Sequence, residues 1–185
     1  RLSQVLSWQT DEGWFWEYEG CDPGYLTLTI SILARIDLIS PSSELTKALK
    51  ASVAFAAHFI HPDGSFGGEY GSRNTYNFSP HGFELASRKI PEALAINDQF
   101  LKGLREGRGP CYADDHIIGH HTWDYLLAWQ DFAPERSKPK EKTQGRTYLP
   151  IAKLLIERRG EMTLYAALNK RISLRSFAGI RRFAQ

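Results

Sequence analysis

The stretch from Asp63 to Glu84, DGSFGGEYGSRNTYNFSPHGFE, gathers Glu69, Tyr70, Arg73, Asn74, Tyr76, His81 and Glu84 between Gly64, Gly67, Gly68, Gly71 and Gly82. Tyr and His can move protons, while Arg and Asn can hold an anion such as a carboxylate. A backbone this rich in glycine does not make a helix interior, so these groups belong on a loop. Long irregular segments inside compact domains are uncommon unless they carry function or are disordered. Phe66, Phe78 and Phe83 argue against disorder here. Arg73, Asn74, Tyr76, His81 and Tyr70 are therefore the candidate catalytic set. Glu69 is a candidate substrate-binding group, or with Glu84 an anchor for Arg73.

A second stretch of similar character runs from Thr10 to Gly24, TDEGWFWEYEGCDPG. Trp14 and Trp16 offer faces for sugar stacking, although aromatic side chains more often bury area. Glu17, Tyr18, Asp22 and Tyr25 supply polar partners beside them, and this group completes the candidate substrate-binding set. Glu17-Tyr18-Glu19-Gly20 echoes Glu69-Tyr70-Gly71, each following an acidic-Gly-aromatic turn. Such an echo predicts paired helical hairpins whose loops gather on one side, with Arg73, Asn74, Tyr76 and His81 facing Tyr18 and Asp22.

The intervening segments must position those loops. Residues 2–9 read as the end of a helix. Tyr25, Leu28, Ile32, Leu33, Ile36 and Ile39 form one helical face. Ser40-Pro41 suits the start of the next helix, which runs to about Ile60 and stops at His61-Pro62-Asp63-Gly64. A further helical pattern from Pro80 is interrupted near Pro91 and continues to about Arg105. Another spans Ala113 to Phe132, with Ile117, Ile118, His121, Tyr125, Ala128, Trp129 and Phe132 on its apolar side. Residues 133–146 read as a linker. From Ala152 the period changes to two: Ala152, Leu154 and Ile156 alternate, Arg159-Gly160 turns, and Met162, Leu164, Ala166 and Leu168 alternate again with Tyr165 opposite. The expected organisation is a mainly α segment over 1–132, a linker over 133–146, a β-hairpin over 147–170 and an irregular tail over 171–185.

Charge divides along the same line. Residues 1–132 hold 10 Lys/Arg against 17 Asp/Glu, and residues 133–185 hold 13 against 4. The basic part lacks interleaved aromatics and any nucleic-acid motif, so no nucleic-acid partner is expected. No apolar run is long enough to span a membrane. Cys21 and Cys111 have neither metal-ligand nor disulfide-framework spacing. His116 and His120 stand four apart beside Asp115, but without a third placed ligand they read as a polar helix face. No cofactor is expected. The start at Arg1, within a helical pattern, makes the rest of a longer chain an expected partner.

The loops GWFWEYEGCDPGYLTLTISILARI and DGSFGGEYGSRNTYNFSPHGFE, followed by a hairpin, resemble the heparinase II/III-like toroid polysaccharide lyases over residues 10–170. The resemblance implies part of an α/α toroid leading into a truncated β-sandwich. It also implies a polysaccharide or oligosaccharide substrate, β-elimination on a uronic-acid glycan, and a periplasmic or secreted setting. In such a reaction Arg73 and Asn74 would face the uronate carboxylate, and Tyr76, Tyr70 or His81 would act as base and acid. The net acidity of the helical part speaks for another class, a toroid glycoside hydrolase pairing Glu17 or Asp22 with Glu69. A third reading is a glycan-binding module without turnover. A terpene-cyclase-type toroid shares turns such as DGSFGG, but no aspartate-rich motif accompanies them here.

Overall fold

The computed structural model describes residues 1–16, 18–109, 118–136 and 144–168. Within them the chain forms α1 (Leu2–Leu6), α2 (Pro23–Ile39), α3 (Ser43–Ala56), α4 (Pro80–Ala86), α5 (Glu92–Arg105), α6 (Ile118–Gln130), β1 (Gly145–Leu149), β2 (Leu154–Arg159) and β3 (Met162–Ala167). It is mainly α with a small antiparallel sheet.

Local chemistry sets the helix starts. The Asp22 side chain accepts from the Tyr25 amide and Pro23 occupies the first turn of α2. Pro80 does the same for α4 behind Ser79. The cap of α3 is Ser42, bonded to the Leu45 amide, two residues beyond the expected Ser40.

The helices make two rows. α2 packs on α4 and α4 on α6, while α3 and α5 lie against α2 and α4 and touch each other. Within the first row the helices run parallel. Thr27 meets Ser79, Ser31 meets Gly82 and Asp37 meets Lys89, in ascending order on both chains. A methyl group at Gly82 would stand 2.5 Å from the Ser31 amide nitrogen, so glycine there sets the close approach of α2 and α4. Between the rows lies one core, with Trp14, Phe55, Phe59, Phe66, Phe78 and Phe100 fully buried.

The two hairpins α1–α2 and α3–α4 share a backbone turn at a spacing of 51 residues. Gly13 donates to Thr10 O at 2.9 Å and Gly64 to His61 O at 3.0 Å. Thr10 donates to Trp14 O and His61 to Ser65 O, at 2.8 and 2.9 Å. Trp16 donates to Trp8 O and Gly67 to Phe59 O, and the bridges Gln9–Phe15 and Ile60–Phe66 correspond. This register aligns Phe15 with Phe66 and Gly20 with Gly71. Tyr18 therefore corresponds to Glu69 and not to Tyr70, a correction to the alignment read from Glu-Tyr.

The sheet has order β1-β2-β3 and both pairs are antiparallel. β1 begins at Gly145, inside the expected linker, and makes the hairpin a three-stranded sheet. β3 presents the opposite face to the one expected: Thr163 and Tyr165 are buried, while Met162 and Leu168 are exposed. Tyr165 pairs with Ile156 across the strands and stacks on Tyr70 at 4.5 Å between ring centroids. A phenol ring buries more area than Leu164 or Ala166 and so decides the face. The sheet joins the helical core directly. Tyr165 and Arg158 donate to His58 O, and the Glu12 carboxylate accepts from the amides of Ile151 and Ala152.

Candidate functional site

Asp22 joins the two loops. Its carboxylate accepts from the amides of Tyr25 at 3.1 Å, Arg73 at 2.9 Å and Thr75 at 3.4 Å, and from the Thr75 hydroxyl. Ser72 also donates to Cys21 O at 2.7 Å. Glycines leave room for this clasp, since a methyl group at Gly71 would stand 2.8 Å from the Asp22 carboxylate. Asp22 is buried and its acceptor sites are filled, so the residue expected to bind substrate instead holds the loops side by side.

The side chains that the two loops leave at the surface are aromatic and polar. Trp16 is 55% and Tyr18 61% exposed, and the Arg73 guanidinium lies 4.2 Å above the Tyr18 ring. Tyr25 flanks Tyr18 at 6.2 Å between ring centroids. Tyr76 donates to Glu69 at 3.3 Å at the surface. Tyr18 and Asn74 both adopt left-handed backbone, with φ of 56° and 57°. For a residue as bulky as tyrosine that conformation is a strained one, and here it turns the ring outward to meet Arg73. Arg73, Asn74, Tyr76, Glu69, Trp16, Tyr18 and Tyr25 thus belong to the surface of the joined loops. Trp14 does not. It is buried against Phe55, with its indole donating to Glu12. Glu17 lies outside the described residues.

Tyr70 and His81 also leave the candidate set. The Tyr70 hydroxyl sits between His61 Nε2 at 3.1 Å and Gly67 O at 2.8 Å, with its ring stacked on Phe59 and Tyr165. Burial pushes its phenol well above the usual tyrosine range, with Tyr165 adding to the shift, so it cannot serve as a base from this position. His81 enters a separate network below the loops. Its Nδ1 accepts from Arg35 Nε at 3.1 Å, so the ring proton on Nε2 is directed to Asp131 at 2.8 Å. The His81 amide donates to Asp124, which also receives Ser31 and Arg35. Both ring nitrogens are thereby committed to α2 and α6.

Two ionic clusters, each built on one buried carboxylate, escaped the sequence reading. Asp124 and Asp131 are seven apart on and just beyond α6, a spacing that puts both toward α4, and only their helical period signalled it. Arg136 forms an ion pair with Glu84 at 2.8 Å and another with Asp98. Its desolvation is outweighed by the Asp98 and Glu84 hydrogen bonds, which raise the guanidinium further above its ordinary range. Glu84 therefore anchors Arg136 and Asn97, not Arg73.

Among the described residues no group of three His, Cys, Asp or Glu could hold a metal ion, and no helix is long and apolar enough to cross a membrane. No protein-family model, curated protein or solved structure matches this chain.

Proposed function

We propose that the chain is an arc of an α/α toroid whose joined loops take a uronic-acid glycan and that the reaction is β-elimination. The observation that carries this reading is the Arg73 guanidinium held over the Tyr18 ring, with Trp16 exposed on the first loop and Tyr76 bonded to Glu69 at the surface of the second. Exposed rings stack on sugar faces, and a guanidinium matches a carboxylate bidentately. Two parallel-packed hairpins with equivalent turns support the toroid arc.

In this scheme Arg73 and Asn74 offset the uronate charge, which lowers the cost of the enolate formed when the C5 proton leaves. Tyr76 is the acid–base group, and Glu69, which already accepts from its hydroxyl, takes the phenolic proton when the phenolate forms. As phenolate it takes the C5 proton, the enolate collapses to the C4–C5 double bond, and the returned phenolic proton goes to the departing oxygen. A positioned acid–base group of this kind contributes about 10²–10⁴ in rate. A hydrolase using Asp22 with Glu69 is the weaker alternative, because the Asp22 carboxylate is saturated by the loop amides.

Incubation with uronate polymers tests the proposal by the ultraviolet absorbance of unsaturated ends. Product from the wild type and its loss in Tyr76→Phe are expected. Reducing ends released without unsaturation would replace elimination by hydrolysis. Glycan retention without turnover would leave a binding module.

A further inference from the structure

Part of the helical stripe from Tyr25 to Ile39 faces outward, although Leu33 of that stripe is buried and Ile36 packs on the core. Leu28 is 46%, Ile32 49% and Ile39 86% exposed, and with half-buried Tyr25 they line one side of α2. α2 buries a different side, with Thr27, Ile30, Ser31 and Ala34 turned toward its neighbours. Water therefore covers an apolar seam at the spacing that helix packing uses.

The internal repeat identifies what such a seam is for. Pro23 and Pro80 open the first turns of α2 and α4, 57 residues apart. At that spacing Tyr25, Leu28 and Ile32 correspond to Gly82, Leu85 and Lys89. All three take part in the contact that α4 and the turn after it make with α2. Gly82 lies against the Ser31 backbone, Leu85 lines the groove with Ala34 and Asp37, and Lys89 pairs with Asp37 at 2.5 Å. The open seam of α2 thus occupies the positions that form the existing α2–α4 interface one repeat later.

We propose that this seam docks a further α-helical hairpin of the same repeat. Its inner helix runs parallel to α2 and presents small side chains where α2 presents Thr27, Ser31 and Ala34 to α4. The surface continues an interface already present in the row, and the repeat that defines it also fixes the geometry of the occupant. Tyr25 begins the seam and stands beside Tyr18, so the docked hairpin brings its own loop against Tyr18 and Arg73. The claim rests on the toroid-arc reading, concerns helix packing alone and does not depend on which ligand the loops take.

The test uses a synthetic peptide of residues 1–40, the hairpin that lies against α4, with Leu28→Lys and Ile32→Lys to remove its own seam. Titrated into the chain, it should bind saturably and shift the methyl resonances of Leu28 and Ile32. The double variant Leu28→Glu/Ile32→Glu of the chain should bind at least about a hundredfold more weakly, since two apolar side chains lose their burial. Equal binding by wild type and variant would overturn the proposal. So would a seam-dependent dimer in sedimentation velocity that the peptide cannot compete away, because the occupant would then be a second copy. Should the peptide fail to fold, the same hairpin fused ahead of Arg1 provides the second measurement. It should raise the melting temperature of the wild-type chain and not that of the double variant. An equal change in both would also overturn the inference.

Discussion

In the first loop the turn closed by Gly13 leads to Trp16 and Tyr18, which point into solvent. In the second the same turn, closed by Gly64, leads past Phe66, buried like its counterpart Phe15, to Tyr70, which fills the core and receives the sheet through Tyr165. The hydrogen-bonded frame is equal in both, so it does not determine which rings stay exposed and which are buried. Side-chain size and the longer second loop do. Gly67 and Gly68 let that loop fold back, and Gly68 accepts contact with the Tyr70 ring. The first loop has Trp16 at the position of Gly67 and cannot close in the same manner. A repeated frame can therefore bury a tyrosine ring in one loop while aromatic rings stay exposed in the other.

The equivalence of the frames is open to a direct challenge. Gly13 and Gly64 have φ of 97° and 84°, and a methyl group would meet Ala51 C at 2.6 Å and Gly103 Cα at 2.6 Å, respectively. Gly13→Ala and Gly64→Ala should each destabilise by about 2–4 kcal/mol, since a strained backbone and a backbone clash add. Urea denaturation of both variants checks this. A large loss at one glycine and none at the other would break the comparison.

The difference between the loops is tested next. Tyr70→Phe leaves His61 Nε2 and Gly67 O without the hydroxyl they share, and should cost about 1–3 kcal/mol. Glycan affinity should not change. Tyr18→Ala should do the reverse, with stability within about 0.5 kcal/mol of wild type, as for other surface changes, and lost retention on a glycan affinity gel. If Tyr70→Phe alone abolished retention, the buried ring and not the exposed Tyr18 would be the one that retention depends on.

Those positions also show what could be read before folding. The acidic-Gly-aromatic turns and proline-led helices were legible because glycine and proline constrain the backbone locally. The stripe from Tyr25 to Ile39 was legible as a period but not as a direction, because periodicity identifies a face without naming what covers it. Asp22 looked like a ligand because nothing local says that Arg73 and Thr75 will use up its oxygens. His81 was placed with Arg73 by sequence proximity, while its partners Arg35, Asp124 and Asp131 come from two other helices. The face of β3 depended on one aromatic ring finding Tyr70.

Each loop also ties its turn with a carboxylate. Glu12 reaches away to the sheet, accepting from Ile151 at 2.7 Å and Ala152 at 2.9 Å as well as from the Trp14 indole. Glu12→Ala should cost about 1–2 kcal/mol and speed amide exchange at Ile151 and Ala152. Unchanged exchange there would show that Tyr165 and Arg158 hold the sheet without it.

Asp63, at the corresponding position, stays local, and its effect should be smaller and pH-dependent. Burial raises its carboxyl, but the Ser65 hydroxyl and amide, with the charges of His61 and Arg108, outweigh burial and hold it below the ordinary aspartate range. A depressed folded value means the ionised carboxylate favours the folded state. That contribution is complete above the unfolded value, near 3.8, and is lost as pH falls through the folded value. Asp63→Asn should therefore be less stable than wild type at neutral pH, with the gap in urea midpoint narrowing only below the unfolded value. A gap that stayed constant down to acid pH would mean that Asp63 acts through shape and hydrogen bonding alone, with no share from its charge.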